Sequence, residues 1–229
     1  MIIIIGVFFM LISLLVGWRL RSRFNEYGQI PLQSGMSGRE VAEKMLRDSG
    51  LYYVNITCVP GQLTDHYNPM NKTVNLSPDV YGGRSVAAAA VAAHECGHAV
   101  QHAAAYRWLN FRTAMVPVTQ VSSQIMNIVF IGTMFLGFAF QGAAMSAMLY
   151  VIVACQAIIT AFALVTLPVE FDASKRALVW LNGAGITRGA EHEKAAHALR
   201  LAATTYVVNA LYAVTMLIYF ILRLLGDRR

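Results

Sequence analysis

Apolar residues dominate the chain in four places and give way to mixed polar sequence in two. Residues 1–18 form one apolar run ending at Trp18 and followed by Arg19, Arg21 and Arg23. Residues 118–140, 145–167 and 204–222 are further runs long enough to cross a bilayer as helices, which takes about 20 residues. The run 118–140 has a half-polar entry, with Thr119, Gln120, Ser122, Ser123, Gln124 and Asn127 ahead of Ile128 to Phe140. Such an entry suggests packing on protein rather than lipid, the alternative being a soluble helix over Thr119 to Asn127 with the span beginning later. In the polar region 19–112, Ser37-Gly-Arg-Glu40 reads as a capping box opening a helix over Ser37 to Ser49, with Val41, Met45 and Leu46 as its apolar stripe and Gly50 as its stop. Three strand-like runs follow, Tyr52 to Val59, Gln62 to Tyr67 and Thr73 to Leu76, separated by Pro60-Gly61 and by Asn68 to Asn71. The Ala-rich stretch from Ser85 to Ala105 then predicts a helix, with Gly82-Gly83 as a breaker before it and Ser85 as its N-cap. The pattern predicts a mainly α membrane protein with about four transmembrane helices and a small α+β domain at the membrane face. Its parts are a signal-anchor helix (1–18), the α+β region (19–112), a transmembrane helical hairpin (113–167), a polar helical region (168–203), and a last transmembrane helix with a basic tail (204–229).

Composition supports that class. The chain is 57% hydrophobic and 13% charged with a mean hydropathy of +0.52, too apolar for an ordinary soluble enzyme. No basic residues precede the first apolar run, so it reads as a retained anchor and not as a cleaved signal peptide. Of the eighteen Lys and Arg, ten lie in residues 19–112 and five in 168–203, while the connection Gln141 to Ser146 carries no charge. The positive-inside rule then places both polar regions in the cytoplasm and the N-terminus outside. Four crossings would leave Arg223, Arg228 and Arg229 outside as well, so the tail is an exception, the last segment does not cross, or the orientation is inverted. The net charge of +6 is dispersed around the apolar runs, which suits anionic lipid headgroups better than nucleic acid. Cys58, Cys96 and Cys155 make no disulfide framework, and nothing specific indicates an oligomer or a regulatory membrane partner.

Within the Ala-rich helix stands His94-Glu95-Cys96-Gly97-His98, an HExxH pattern. Histidines at i and i+4 project from one helical face and let two neutral imidazoles hold one zinc ion per chain, with Glu95 beside it as the base for water. Burying two His and a Glu along an Ala/Val face without a ligand would be costly, which weighs against satisfied core histidines. Cys96 points elsewhere around the helix and reads as a packing residue. Catalytic zinc takes three protein ligands and leaves one position open. Ala104 occupies the place of a metzincin's third histidine, and His102 lies about 12 Å along the helix from His94, too far to share the ion. Glu170 is the better third ligand, since two spans joined by a short turn return the chain to the side it left; an interfacial carboxylate paired with Arg is the structural alternative. Asp172 faces differently and suits orienting a histidine, or pairing with Lys175 or Arg176. The run Thr73, Val74, Asn75 and Leu76 is a candidate edge strand for binding substrate by strand addition, with a purely structural strand as the alternative. His66 and Tyr67 are candidate donors to a tetrahedral oxyanion, although turn residues ahead of Asn68-Pro69 have structural reasons to be there.

The stretches Leu63-Thr-Asp-His-Tyr-Asn-Pro69, Val74-Asn-Leu-Ser77, Val91-Ala-Ala-His-Glu-Cys-Gly-His-Ala-Val-Gln101, Pro168-Val-Glu-Phe-Asp-Ala-Ser-Lys-Arg-Ala177 and Ala202-Ala-Thr-Thr-Tyr-Val207 resemble the YugP-like neutral zinc metallopeptidases of bacterial membranes. The resemblance implies a membrane-integral zinc peptidase of the bacterial cytoplasmic membrane, with His94 and His98 as ligands and Glu95 as catalytic base. A more distant similarity is to HtpX-like and CAAX-prenyl proteases, gluzincins whose third ligand opens a Glu-x-x-x-Asp pattern. Glu170 matches that Glu, while Ser174 stands in place of the Asp, so Asp172 is the candidate to take over its task. The expectation is a multi-pass zinc endopeptidase with a zincin-like catalytic domain and a cytoplasmic active site, cutting membrane or membrane-proximal proteins. The rivals are a site-2-like intramembrane protease and a non-catalytic zinc-binding scaffold or adaptor.

Overall fold

The computed structural model describes residues 1–136 and 143–226. In chain order the elements are α1 (Ile2–Gly28), α2 (Gly38–Asp48), β1 (Asn55–Cys58), β2 (His66–Asn68), β3 (Thr73–Leu76), α3 (Pro78–Tyr81), α4 (Val86–Ala103), α5 (Arg107–Leu136), α6 (Ala143–Gly183) and α7 (Ala190–Gly226). Among the described residues, four helices are long and apolar enough to cross a membrane: Ile2–Gly28, Arg107–Thr133, Ala147–Gly183 and Ala190–Gly226. Thr119 to Asn127 lie inside α5 as part of one continuous helix. The connection expected at Gln141 to Ser146 falls partly outside the described residues, and Arg228 and Arg229 wholly so.

Helix α6 spans 41 residues, roughly 60 Å at 1.5 Å per residue, against a hydrocarbon core of about 30 Å. It runs through Pro168, so the change from apolar to polar sequence after Leu167 is not a helix end. Helix α7 is likewise continuous from the polar segment at Ala190 to Gly226.

The chain divides into two compact units. The first takes Met1–Ser13, Asn110–Leu167 and the described part of Tyr206–Arg229. In it Ile152, Met216 and Phe220 form one buried cluster, and Ala163, Ala210 and Ala213 let α6 and α7 approach closely. Gln156 Nε2 and Thr160 Oγ1 of α6 both donate to the Ala213 carbonyl of α7, at 3.1 and 3.0 Å. A polar side chain away from water binds a backbone acceptor there because no solvent can serve it.

The second unit takes Leu14–Leu109 and Pro168–Thr205. Its core packs α2 and the sheet on α4, with Val41, Met45, Val74, Leu76 and Val86 fully enclosed. The capping box of α2 is formed: Glu40 N–H donates to Ser37 Oγ (3.3 Å) and Ser37 N–H to Glu40 Oε2 (2.7 Å). The Ser37 backbone N–H and then its hydroxyl, both donating to Glu40 Oε2, draw the Glu40 carboxyl below its usual range. Gly50 ends the turn with φ +72°. Ser85 caps α4, its Oγ accepting from Ala88 N–H at 3.2 Å.

Three strands form one sheet in the order β1-β3-β2, with β1 parallel and β2 antiparallel to β3. This corrects the expectation of Thr73, Val74, Asn75 and Leu76 as an edge strand. They are the central strand, hydrogen-bonded on both sides and buried throughout. The polar member Asn75 is served within the sheet, its Oδ1 accepting from Thr57 Oγ1 (2.6 Å) and its Nδ2 donating to Thr73 Oγ1 (3.0 Å). The edge strands are β1 and β2.

Candidate metal centre

All groups of the candidate centre lie in the second unit. Helix α4 presents His94 and His98 one turn apart, with ring centroids 4.8 Å from each other and planes near perpendicular at 83°. The segment of α6 after Pro168 crosses this face. Its approach is set by Gly97, where a Cβ would lie 2.6 Å from the Ala173 carbonyl oxygen, so only glycine admits the α6 backbone here. That contact brings Glu170 Oε2 to 3.4 Å from His94 Nε2 and 3.7 Å from His98 Nε2.

The donor set fits zinc. Ligand atoms about 2.0–2.2 Å from a tetrahedral zinc stand roughly 3.3–3.6 Å from one another, close to both spacings to the carboxylate oxygen. His94, His98 and Glu170 can therefore hold one metal ion, their donor atoms all lying within 4.8 Å. Three ligands leave a fourth position open. Glu170 is 3% exposed, so its carboxylate depends on the two imidazoles or a cation for compensation. Burial opposes the charged form of His98, but the Glu170 hydrogen bond and the negative charges of Glu95 and Glu170 leave its imidazole raised above the usual value.

Glu95 is buried next to the pair, and its Oε2 accepts from the backbone N–H of Tyr67 at 2.9 Å. The base expected from the sequence is thus tied to the edge of β2 that faces away from β3. Tyr67 reaches the centre through its backbone. Its phenol, raised by burial, pairs with His102 Nδ1 at 2.8 Å, which accounts for His102 without metal ligation. His66 is exposed and its ring Nδ1 pairs with the Thr64 carbonyl at 2.8 Å, so its side chain turns into its own loop. Cys96 faces α2, with Sγ 3.6 Å from the Ala42 carbonyl, and burial holds its thiol well above the normal range.

Of the two roles expected for Asp172, the structure shows the pairing with Arg176. Asp172 touches neither histidine directly; its Oδ2 accepts from Arg176 Nε (2.6 Å) and from Gln101 Nε2 (2.8 Å). Gln101 Oε1 lies 3.0 Å from His98 Nδ1, so Asp172 reaches His98 through the amide. Ser174, read as a departure from the gluzincin pattern, contacts His94 Nδ1 itself at 3.1 Å. Gln101 and Ser174 were missed as contacts of the histidines. Their signal was helical spacing, Gln101 three residues beyond His98 and Ser174 four beyond Glu170. Away from the centre, His192 pairs with Thr187 Oγ1 and His197 with the Tyr27 hydroxyl.

Residues 1–225 match the model of a protein family described as "Putative neutral zinc metallopeptidase". The chain is also 37% identical over 211 residues to "Putative membrane protease YugP" of Bacillus subtilis (strain 168), the alignment covering 92% of this chain and 91% of that protein. No solved structure matches. With a three-donor cluster that suits zinc, four helices apolar enough for a bilayer, and a family match running nearly from end to end, the chain belongs to the neutral zinc metallopeptidase family.

Proposed function

We propose that the chain is a membrane-integral zinc endopeptidase of the gluzincin type, with His94, His98 and Glu170 as ligands and Glu95 as general base. The observation that carries this reading is the Glu170 oxygen set 3.4 and 3.7 Å from the ε nitrogens of the two motif histidines. His94, His98 and Glu170 would hold the zinc, which when bound would supply Lewis acidity toward a carbonyl and toward water at neutral pH. Glu95 takes the proton of the attacking water and delivers it to the leaving amine. Its hydrogen bond to Tyr67 N–H holds the carboxylate at the rim of β2. The outward edge of β2, His66 to Asn68, takes over from β3 as the strand along which an extended peptide would lie, the peptide displacing Glu95 from the Tyr67 N–H as it adds. The α+β unit then acts as a zincin-like catalytic domain.

The substrates are membrane or membrane-proximal proteins. The apolar part of α6 leads directly into the segment bearing Glu170, which supports chemistry close to a bilayer. The Lys/Arg distribution supports a multi-pass protein of the bacterial cytoplasmic membrane with its active site on the cytoplasmic side. Neither a scaffold, which would close its zinc site with a fourth ligand, nor a site-2-like protease has comparable support.

The test is zinc content by elemental analysis, together with hydrolysis of a peptide library, on detergent-purified protein. Wild type should hold one zinc per chain and Glu170→Ala should lose it, while Glu95→Gln keeps the metal and loses about 10²–10⁴-fold in rate. Full zinc retention in Glu170→Ala would remove Glu170 from the ligand set, and unchanged hydrolysis in Glu95→Gln would remove the mechanism.

A further inference from the structure

Gln101 sits one turn beyond His98 on α4 and is completely buried. Its amide makes three hydrogen bonds: Nε2 to the Val169 carbonyl (2.8 Å) and to Asp172 Oδ2 (2.8 Å), and Oε1 to His98 Nδ1 (3.0 Å). A backbone carbonyl can only accept, so the Val169 contact decides which end of the amide faces α6: it must be the nitrogen. The oxygen is then turned to His98, and since an amide oxygen can only accept, His98 must carry a proton on Nδ1. That leaves Nε2 as the ring atom for the metal, the same atom that stands 3.7 Å from Glu170.

His94 is held differently. Its Nδ1 meets the Ser174 hydroxyl at 3.1 Å, a group that donates or accepts and so imposes no tautomer by itself. Gln101 also grips the carbonyl of Val169, the residue next to Glu170, so one buried amide ties a ligand on α4 to the backbone that carries the ligand on α6.

We propose that Gln101 is a positioning residue of the zinc site, fixing the Nδ1–H tautomer of His98 and holding Glu170 in register with it. Arg176 and Asp172 extend the chain outward, and the Arg176 guanidinium stacks on the Tyr106 ring at 5.8 Å. The proposal rests on the three-ligand reading, so zinc binding by wild type and His98→Ala is measured first. Equal binding by these two overturns the ligand set itself, separately from any result with Gln101.

Zinc affinity is then read by chelator competition on the full detergent-purified chain, and the visible spectrum is recorded after cobalt substitution. Gln101→Leu, similar in volume but unable to hydrogen-bond, should weaken zinc about 10–100-fold, as loss of an orienting partner does elsewhere, and alter the cobalt spectrum. Gln101→Met, which keeps the length of the side chain but cannot hydrogen-bond, should show the same loss. A packing role predicts instead that leucine and methionine are both tolerated. Wild-type affinity in Gln101→Leu or in Gln101→Met overturns the proposal; if the leucine variant does not fold, the methionine variant alone decides.

Discussion

The two units bury polar side chains in opposite ways. In the unit built from α5, the apolar length of α6 and the end of α7, buried polar groups close on backbone: Gln156 and Thr160 on the Ala213 carbonyl, Ser122 on Val118, Thr166 on Phe162. Each bond satisfies a group that lipid could not, and its consequence stays local. In the unit holding α4, the buried polar groups close mainly on one another, with Glu170 between two imidazoles, Gln101 between His98 and Asp172, and Ser174 on His94. Buried polarity spent on carbonyls marks helix packing, whereas buried side chains converging on one another from two helices mark a place built for a ligand.

Substituting Gly97→Ala should strain this contrast most. The added methyl meets the Ala173 backbone, so the cost is overpacking of about 1–3 kcal/mol, and displacement of Glu170 should cost zinc affinity too. Thermal unfolding with and without zinc reads both, and a variant of native stability and full zinc content would show that the Gly97 contact does not set the site.

Gln156→Leu supplies the counterpart in the other unit. Loss of its interhelical bond should destabilise by about 0.6–2 kcal/mol with zinc content unchanged. Falling metal occupancy in this variant would break the division between the two kinds of buried polarity.

The smallest expected effect is in pH dependence. Because the folded-state pKa of His98 is raised above its ordinary 6.5, its charged form contributes stability to the zinc-free protein below about that pH, and this is lost as pH rises through the higher folded value. Zinc requires the neutral ring. The zinc-induced rise in Tm should therefore grow with pH from below 6.5 to beyond it, and a flat or falling difference would remove this link.

Much of the centre was legible because helical spacing is rigid. The i, i+4 pair at His94 and His98, the caps at Ser37 and Ser85, and Glu170 as partner all follow from local pattern and chain return. Strand order was not legible: alternation reports which faces of Thr73 to Leu76 are covered, not which strands flank them, and β2 took the edge although it precedes β3 in sequence. Gln101 escaped attention because a lone amide on an Ala-rich helix has no chemistry until Val169 and Asp172 arrive from α6 to orient it.

The Gly97 contact also changes what the five-letter motif means in this chain. HExxH is written with two wildcards, yet Cys96 is packed against the Ala42 carbonyl and Gly97 against Ala173. In informational terms all five positions are specified, three by chemistry and two by the neighbours that chemistry requires. In this chain a larger residue at position 97 would keep both histidines and leave the third ligand no room to arrive.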